Sequence, residues 1–469
     1  MNNKVFNKIY KMSSLICTGV LTVSLCGCGA SYVPVSDGMR LVGSLNVEDE
    51  LNYTDSSESE ELLDTFSSDD GLCIIKKYPS YYDVTLDYEK GTPADAGAAY
   101  ATTILEAAPC YEECFEPYLY ENIRDLFGGR DINYDALENR IMTLEASIPD
   151  VYREEIESFA RIMAAGEEGY EENGKLSYIE ALTMQIIPDA LRPTACSALT
   201  IGGSRTASGE RITLRNLEWN IGSSAQMTRI HSVTHMNRNG RRITSVAVLG
   251  LLDMITAINN DGVMIGILDV GTVNGMPFVY ENKKCYTFEI RYALDNFDNA
   301  RDAAEFLNRE SRDFTWCNNL IVTDSKDAFC CENATGEVQD AGRAVSVIRT
   351  PDSELMEGLE WDTPDTLCIV NSFATKGNQD GFTGIPSDIT RFVKYNRWVS
   401  EIGEFTVADM KGIMAREIVD QYEVHNVHNS GTVHTFIVDY ATGDIHVAFT
   451  SGTCADDIPE YILVGNYKR

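Results

Sequence analysis

With 469 residues, the chain is long enough to bury a sizeable core and to contain two or three domains of ordinary size. Its 72 acidic residues outnumber its 38 basic residues, and the resulting net charge of -34 disfavours binding to nucleic acid or to an anionic membrane surface. We therefore expect no nucleic-acid partner.

The amino terminus has the pattern of a lipoprotein signal peptide. Three lysines without an acidic neighbour precede an apolar stretch, residues 12–25, that is too short to span a bilayer comfortably. The stretch ends in Leu25-Cys26-Gly27-Cys28, which resembles the bacterial lipobox with Cys28 as the lipidated residue. Residues 1–27 are thus predicted to be removed. The mature protein is predicted to be exported and attached to the outer side of the cell membrane through the lipid alone.

Two segments are predicted between the lipid and the last part of the chain. Residues 28–75 are interpreted as an acidic tether, because the Ser-, Asp- and Glu-rich stretch within them repels itself and buries little. Residues 76–195 are predicted to be mainly helical: Asp150 is placed as a helix N-cap, and Ser177 with Glu180 forms a capping box for a helix that Pro188 ends.

The stretch that follows, residues 196–219, has the pattern of a β-hairpin with a long loop. Two β-forming runs flank a break that contains two glycine-rich dipeptides. Pairing of the strands would bring Cys196, at the head of the first strand, close to Arg215 and Glu218 at the end of the second. A nearby guanidinium favours the thiolate, which is the nucleophilic form of cysteine.

The rest of the chain alternates strands and helices. Strands grouped before and after helices indicate an α+β protein in which stacked sheets are covered by helices. The predicted strands are residues 227–236, 241–252, 255–258, 263–268, 320–323, 328–332, 432–439 and 444–449, and the predicted helices are residues 286–296 and 300–309.

A cysteine that opens a strand, followed by Arg-Asn-Leu-acid-Trp at the end of the next strand, resembles the linear-amide branch of the N-terminal-nucleophile (Ntn) hydrolases. That branch includes choloylglycine hydrolase, penicillin V acylase, acid ceramidase and the penicillin acyltransferase-like peptidases. Three more motifs, which resemble the family's Asn-Glu-x-Gly-Leu hairpin, its Thr-Asn-Ser and its Ser-Arg-Phe, follow in the same order at residues 259–269, 370–372 and 390–392. The resemblance implies a four-layer αββα fold for residues 196–469, preceded by a mainly helical pro-segment.

The resemblance also implies a self-processing enzyme that hydrolyses linear, non-peptide amides. Cleavage between Ala195 and Cys196 would free an α-amine with a reference pKa of ~7.7–8.0, which can accept the thiol proton near neutral pH. The thiolate would then attack an amide carbonyl and form a thioester that water resolves. The implied roles are thiolate stabilisation by Arg215, orientation of the amine by Glu218, positioning of substrate or amine by Asp269, donation to the oxyanion by Asn371, and support of the nucleophile's surroundings by Arg391.

Two of these positions depart from the family pattern. Glu218 stands where the family usually has Asp, one methylene shorter. Asp269 replaces the Asn of choloylglycine hydrolases and agrees better with the acid of ceramidase-like enzymes. The partner implied is a small N-acyl amide, of which the sequence identifies neither the acyl chain nor the amine.

Several alternatives stay open at the level of sequence. The same thioester would serve an acyltransferase, and a catalytically silent binding lipoprotein could keep the fold. A papain-like enzyme would need His434 or His446 as its base. His231 and His235 have a helical metal spacing but lie in a strand pattern, so no metal site and no cofactor are predicted. Whether the pro-segment stays bound after cleavage is also open.

Overall fold

A computed structural model describes residues 59–191, 195–270, 278–361, 363–378, 386–415, 427–429, 431–452 and 458–469. The predicted signal peptide and the predicted lipidation site Cys28 lie outside these ranges. Among the described residues, no helix combines the length and the apolar character that crossing a bilayer requires.

The first half of the chain contains strands as well as helices. The predicted capping box of Ser177 and Glu180 is present, whereas Asp150 is the first residue of its helix and not the N-cap, which is Pro149. The described elements are β1 (Asp64–Ser67), β2 (Cys73–Lys77), β3 (Tyr82–Asp87), α1 (Pro93–Ala107), α2 (Tyr111–Phe127), α3 (Tyr134–Glu145), α4 (Asp150–Ala164), α5 (Tyr178–Met184) and α6 (Ile187–Ala190).

The second half contains the predicted hairpins and helices, with bounds that differ from the predictions by a few residues. The described elements are β4 (Ala195–Ile201), β5 (Ile212–Glu218), β6 (His231–Arg238), β7 (Arg241–Val248), β8 (Thr256–Asn259), β9 (Met264–Asp269), α7 (Tyr286–Asn296), α8 (Ala300–Glu310), β10 (Asn318–Thr323), β11 (Ala328–Asn333), α9 (Gly336–Asp340), β12 (Val347–Arg349), β13 (Thr366–Ile369), α10 (Pro386–Glu401), α11 (Val407–Ala415), β14 (Thr432–Asp439), β15 (Asp444–Phe449) and β16 (Ile462–Asn466).

The strands form two sheets. Within the described residues the larger sheet has the order β1-β2-β3-β6-β7-β8-β9-β10-β11-β12, and the smaller has the order β13-β4-β5-β14-β15-β16. The inner faces meet where Arg215 of β5 donates a hydrogen bond to the carbonyl oxygen of Ile267 in β9. Helices α7 and α8 pack on the larger sheet, and α10 and α11 pack on the smaller one. The predicted α+β class, with two stacked sheets between helices, is confirmed.

The predicted tether ends earlier than the sequence indicated. Residues 64–67 and 73–75, which were assigned to it, lie in β1 and β2, and β3 pairs in parallel with β6 of the second half. The physical reason is that apolar residues alternate along β2 and β3, so that one face of each strand is buried. Ile75 of β2 and Val84 of β3 are fully buried. The short apolar pattern was not recognised in the sequence because the residues before it are strongly acidic. The first half therefore extends the larger sheet.

Buried polar contacts join the two halves. Glu155 of α4 forms an ion pair of 2.8 Å with Arg291 of α7, and both side chains are almost fully buried. Gln185 bonds to the backbone of Gly250 and Leu252 after β7. Gly250 has φ +89°, and a Cβ atom there would lie 2.0 Å from the hydroxyl of Tyr111, so only glycine fits this contact. The two halves consequently share one core.

Candidate active site

The predicted hairpin places Cys196 and Arg215 side by side. Cys196 pairs with Leu217 across β4 and β5, and Ala198 pairs with Arg215, so both side chains lie on the face that meets the larger sheet. The Nη2 atom of Arg215 is 3.0 Å from the Sγ atom of Cys196. Both residues are fully buried. The thiol thus lies against a fixed cation inside the protein.

The environment of Arg215 favours a negative charge nearby. Burial lowers the pKa of this guanidinium, and the proximity of Cys196 opposes that shift. Its Nε and Nη1 atoms have no hydrogen-bond partner among the described residues. Gly266 in β9 makes room for the side chain, because a Cβ atom there would lie 2.9 Å from the Cγ atom of Arg215. A buried cation with unused donors beside a thiol stabilises the thiolate.

Arg391 of α10 connects the backbone of Cys196 to two carboxylates. Its Nη1 atom is 2.7 Å from the carbonyl oxygen of Cys196 and 3.2 Å from Oε2 of Glu218. Its Nη2 atom is 2.7 Å from Oδ1 of Asp388 and 3.0 Å from Oδ1 of Asn371. Burial acts to lower the pKa of Arg391, but the charges of Glu218 and Asp388 outweigh it and raise the pKa. This guanidinium is the centre of the polar network.

Glu218 lies at the end of β5, opposite Ala195. Burial raises the pKa of its carboxyl group, although the charge of Arg391 acts in the other direction. Asn216 also contacts this carboxylate, at 3.4 Å. Glu218 is thus linked to Cys196 through Arg391, which donates to its carboxylate and to the carbonyl oxygen of Cys196.

Asn371 and Asp269 complete the group. The backbone N–H of Cys196 donates to Oδ1 of Asn371 at 2.7 Å, and Nδ2 of Asn371 donates to the carbonyl oxygen of Asp269 at 2.7 Å. These contacts require the amide oxygen to face Cys196 and the amide nitrogen to face Asp269. The side chain of Asp269 accepts a 2.8 Å bond from the hydroxyl of Tyr286. All six sequence-predicted site residues, namely Cys196, Arg215, Glu218, Asp269, Asn371 and Arg391, are joined by direct contacts or one intermediate residue.

The sequence reasoning missed three residues that hold this network. Asp388 pairs with Arg391 and accepts a hydrogen bond from Ser372. The Asp-x-x-Arg spacing on one helix was a usable signal for this pair. Asn319 donates to the carbonyl oxygens of Val370 and Ser372 on both sides of Asn371, at 2.8 and 2.9 Å. Nothing local in the sequence indicated Asn319 or Tyr286.

Two buried carboxyl groups near the site were also missed. Asp189 of α6 accepts a hydrogen bond from Thr287 at the start of α7, and burial raises its pKa well above the usual range. Neither carboxylate oxygen of Asp253 has a hydrogen-bond partner on another residue among those described. Burial raises the pKa of Asp253 to about 8.

Asp253 is expected to make the protein less stable as the pH rises. Its pKa is near 3.8 when unfolded and about 8 when folded, so ionisation costs stability progressively across this interval. We expect Asp253→Asn to raise the free energy of unfolding by about 1–3 kcal/mol at pH 8 and by less at pH 5. Urea unfolding at both pH values measures this, with the exposed Asp298→Asn as a control. An equal effect at both pH values would contradict the assignment.

The histidine alternatives lie away from the thiol. His434 pairs with Leu217, which in turn pairs with Cys196, so two strand spacings, roughly 10 Å, separate it from the thiol. Its Nε2 atom contacts Oγ1 of Thr256 at 3.1 Å, and burial lowers its pKa well below the usual range. His446 lies one strand further on. In the described part of the chain no group of three or more His, Cys, Asp or Glu residues could hold a metal ion.

The fold and these contacts define a two-sheet α+β protein with a buried cysteine at the head of a strand, where Arg215 contacts its thiol and Arg391 its backbone carbonyl oxygen. No family model matches the sequence, and no curated protein matches it. Among solved structures, the chain is similar to the Caenorhabditis elegans ortholog of N-acylethanolamine-hydrolyzing acid amidase, with a TM-score of 0.35 and 14% identity over 52% of this chain and 92% of that chain.

Two further solved structures are similar to the same extent. They are a mutant of the conjugated bile acid hydrolase of Clostridium perfringens (TM-score 0.34, 11% identity, 58% of this chain and 97% of that chain) and the penicillin V acylase of Agrobacterium tumefaciens (TM-score 0.32, 12% identity, 54% and 83%). The names of these structures are those of an acid amidase, a bile acid hydrolase and a penicillin V acylase. The similarity concerns the fold alone, whereas the residues of the site are identified from their contacts in this chain.

Proposed function

We propose that this chain is a self-activating cysteine amidase that hydrolyses linear N-acyl amides. The observation that carries the proposal is the position of Cys196, whose Sγ atom is 3.0 Å from Arg215 while Asn371 and Arg391 bind its backbone N–H and carbonyl oxygen. These three contacts orient both the Cys196 thiol and the peptide bond that precedes Cys196. The contacts of Cys196 thus support a role in chemistry beyond packing.

Self-cleavage would begin with attack of the Cys196 thiolate on the carbonyl carbon of Ala195. The bond to the Cys196 nitrogen breaks as this nitrogen takes a proton, and a thioester to Ala195 forms. Water then hydrolyses the thioester and leaves a carboxylate on Ala195 with a free amine and thiol on Cys196. Glu218, which pairs with Ala195 across β4 and β5, would bind the new ammonium group.

Amide hydrolysis would repeat the same chemistry on a substrate. The free amine, with a reference pKa of ~7.7–8.0, accepts the thiol proton, and the thiolate attacks the amide carbonyl. The Nδ2 group of Asn371 carries two N–H donors, so it can donate to the oxyanion as well as to Asp269. The leaving amine takes the proton from the Cys196 ammonium, and water resolves the thioester.

In the intact chain the nucleophile is closed off, because Cys196 is fully buried. We propose that cleavage opens the site while the pro-segment stays attached. Its attachment is supported by the pairing of β3 with β6 and by the buried ion pair of Glu155 and Arg291, neither of which involves the cleaved bond. We further propose, on the lipobox pattern at Cys28, that the enzyme is an exported lipoprotein on the outer side of the cell membrane.

The test asks whether the purified wild-type chain, produced from residue 29 onward, is cleaved before Cys196 and hydrolyses amides. We expect two fragments by intact mass, the second starting at Cys196, that elute together in size-exclusion chromatography. 2-Cyanobenzothiazole, which condenses with an amino-terminal cysteine, should label the second fragment only. The cleaved protein should release glycine from N-decanoylglycine or ethanolamine from N-decanoylethanolamine. One unlabelled folded chain without turnover would overturn the proposal and leave a binding lipoprotein.

A further inference from the structure

Three aromatic side chains form a cluster in which Trp316 lies two residues before β10. The rings of Phe278 and Trp316 are 4.6 Å apart, and those of Phe278 and Tyr280 are 6.1 Å apart. Phe278 and Tyr280 are half-buried, whereas Trp316 is only 8% exposed. The Nε1 atom of Trp316 is buried and has no hydrogen-bond partner among the described residues. The cluster therefore combines apolar ring faces with one unused donor.

A cation from the pro-segment lies on this cluster. The guanidinium carbon of Arg140 in α3 is 4.4 Å from the ring centre of Phe278 and 5.4 Å from that of Tyr280, within the range of cation–π attraction. Its Nη1 atom donates to the carbonyl oxygen of Ala190 at 2.9 Å. Among the described residues, no carboxylate lies within ion-pair distance of Arg140. This is notable in a chain with 72 acidic residues and a net charge of -34.

Burial lowers the pKa of Arg140, and the partial opposing effects of Tyr280 and Glu281 do not cancel it. A partly desolvated cation without a counter-ion gains free energy when an anion binds. Arg140 is held over the Phe278 ring and bonded to Ala190, and a guanidinium carries its N–H donors in a planar fork that suits a carboxylate, sulfonate or phosphate group. The site is thus built for an anion that carries an apolar neighbour.

Two contact paths connect this cluster with the nucleophile. The backbone N–H of Val270, next to Asp269, donates to the carbonyl oxygen of Cys317, next to Trp316. On the other side, the hydroxyl of Tyr286 contacts both the Asp269 carboxylate and the carbonyl oxygen of Pro188, two residues before the Ala190 carbonyl that Arg140 binds. The cluster therefore lies at the end of the sheets where Cys196, Asn371 and Asp269 meet.

We infer that Arg140, with Phe278, Tyr280 and Trp316, forms a substrate subsite for an anionic group of the amide, packed beside an apolar part. The inference rests on the proposed amidase function and extends it to a substrate class: amides that carry a carboxylate, sulfonate or phosphate on the acyl or on the amine side. It also gives the pro-segment a place in the cleaved enzyme, because the specificity-determining cation belongs to α3.

Two matched substrate pairs test the subsite on the cleaved enzyme. In the first pair, N-decanoylglycine carries a carboxylate on the amine side and N-decanoylglycinamide is its neutral counterpart. In the second pair, the sebacic acid monoamide of ethanolamine carries a carboxylate at the far end of the acyl chain and N-decanoylethanolamine is its neutral counterpart. Arg140→Gln removes the cation, and Arg140→Lys retains a charge without the planar fork. Arg161→Gln is the matched control, because Arg161 is also a pro-segment arginine stacked on a tyrosine, Tyr178, but is exposed. The cleaved fraction of each variant, measured by mass, sets the enzyme concentration.

We expect the wild type to prefer the anionic member of one pair by about 10- to 100-fold in kcat/KM, the effect of one charged hydrogen-bonded contact. Arg140→Gln should reduce this preference to within about threefold, Arg140→Lys should retain part of it, and Arg161→Gln should change neither the preference nor the rate on the neutral member. No preference in either pair, or a preference that survives in Arg140→Gln, would overturn the inference.

The failure of the proposed function would look different. If the wild type hydrolyses none of the four amides, the amidase assignment fails for these substrates. The subsite is then tested by calorimetric titration of N-decanoylglycine and of the sebacic monoamide into wild type and Arg140→Gln. A loss of affinity of about tenfold or more for one of them supports the subsite. Equal affinities for both proteins, or no binding to either, overturn it.

Discussion

The Cys196→Ala variant is expected to remain a single uncut chain and to lose amide hydrolysis. The substitution removes the Sγ atom, which lies 3.0 Å from Arg215 and is the proposed nucleophile toward both the Ala195 carbonyl and a substrate. Without cleavage no α-amine forms, so nucleophile and base are lost together. Removing a residue of a catalytic unit typically costs about 10⁴-fold or more in rate. Intact mass and kcat/KM for N-decanoylglycine measure both effects.

A second buried cysteine provides the matched control. Cys368 lies in β13, the strand next to β4, and burial raises the pKa of its thiol well above the usual range. Cys368→Ala makes a similar small cavity and should still be cut at residue 196 with near wild-type turnover. Cleavage in Cys196→Ala, or its loss in Cys368→Ala, would show that the thiol next to Arg215 is not the nucleophile.

The Arg391→Met variant is expected to be uncut and strongly destabilised. Arg391 is the ion-pair partner of both Glu218 and Asp388, and all three side chains are buried. Removal of the cation leaves two buried carboxyl groups uncompensated, which typically costs about 3–5 kcal/mol in the free energy of unfolding. The substitution also removes the hydrogen bonds that Arg391 donates to the Cys196 carbonyl oxygen and to Oδ1 of Asn371. Urea unfolding and intact mass measure the two losses.

The destabilisation should depend on pH in a definite direction. The pKa values of Glu218 and Asp388 are already raised by burial, and the charge of Arg391 limits the rise. Without Arg391 both carboxyl groups are expected to be protonated in the folded protein over a wider pH range. They bind more protons folded than unfolded, so stability falls as the pH rises from about 4 towards the raised folded-state pKa. The deficit relative to wild type should be smaller at pH 5 than at pH 8.

Arg397→Met on the same helix is the control for this experiment. Arg397 pairs with Glu401 at the surface, at 3.2 Å, and exposed pairs of this kind contribute about 0–1 kcal/mol. This variant should be cut normally and should unfold with little change at either pH. A similar loss in both variants would mean that the helix, and not the buried network, accounts for the effect.

Local sequence patterns were sufficient for much of the second half. The hairpin of Cys196 and Arg215, helix α7 and the last hairpin follow from alternation, apolar spacing and turn residues, which are properties of neighbouring residues. Asp388 was within reach of the same reasoning, because its spacing from Arg391 places both on one helix face. Asn319 was not, because its partners Val370 and Ser372 are more than 50 positions away and no local pattern encodes that approach.

The α+β class, the stacked sheets and the six candidate residues of the Cys196 site could be predicted from the sequence, since strand alternation and family-like motifs are local features. Three other features emerge only in the folded protein: the first half adds β1, β2 and β3 to the larger sheet, Asp388 and Asn319 hold the network, and Arg140 lies on Phe278. These contacts join distant segments, and their free energy comes from burial and charge pairing that exist only once the chain has folded.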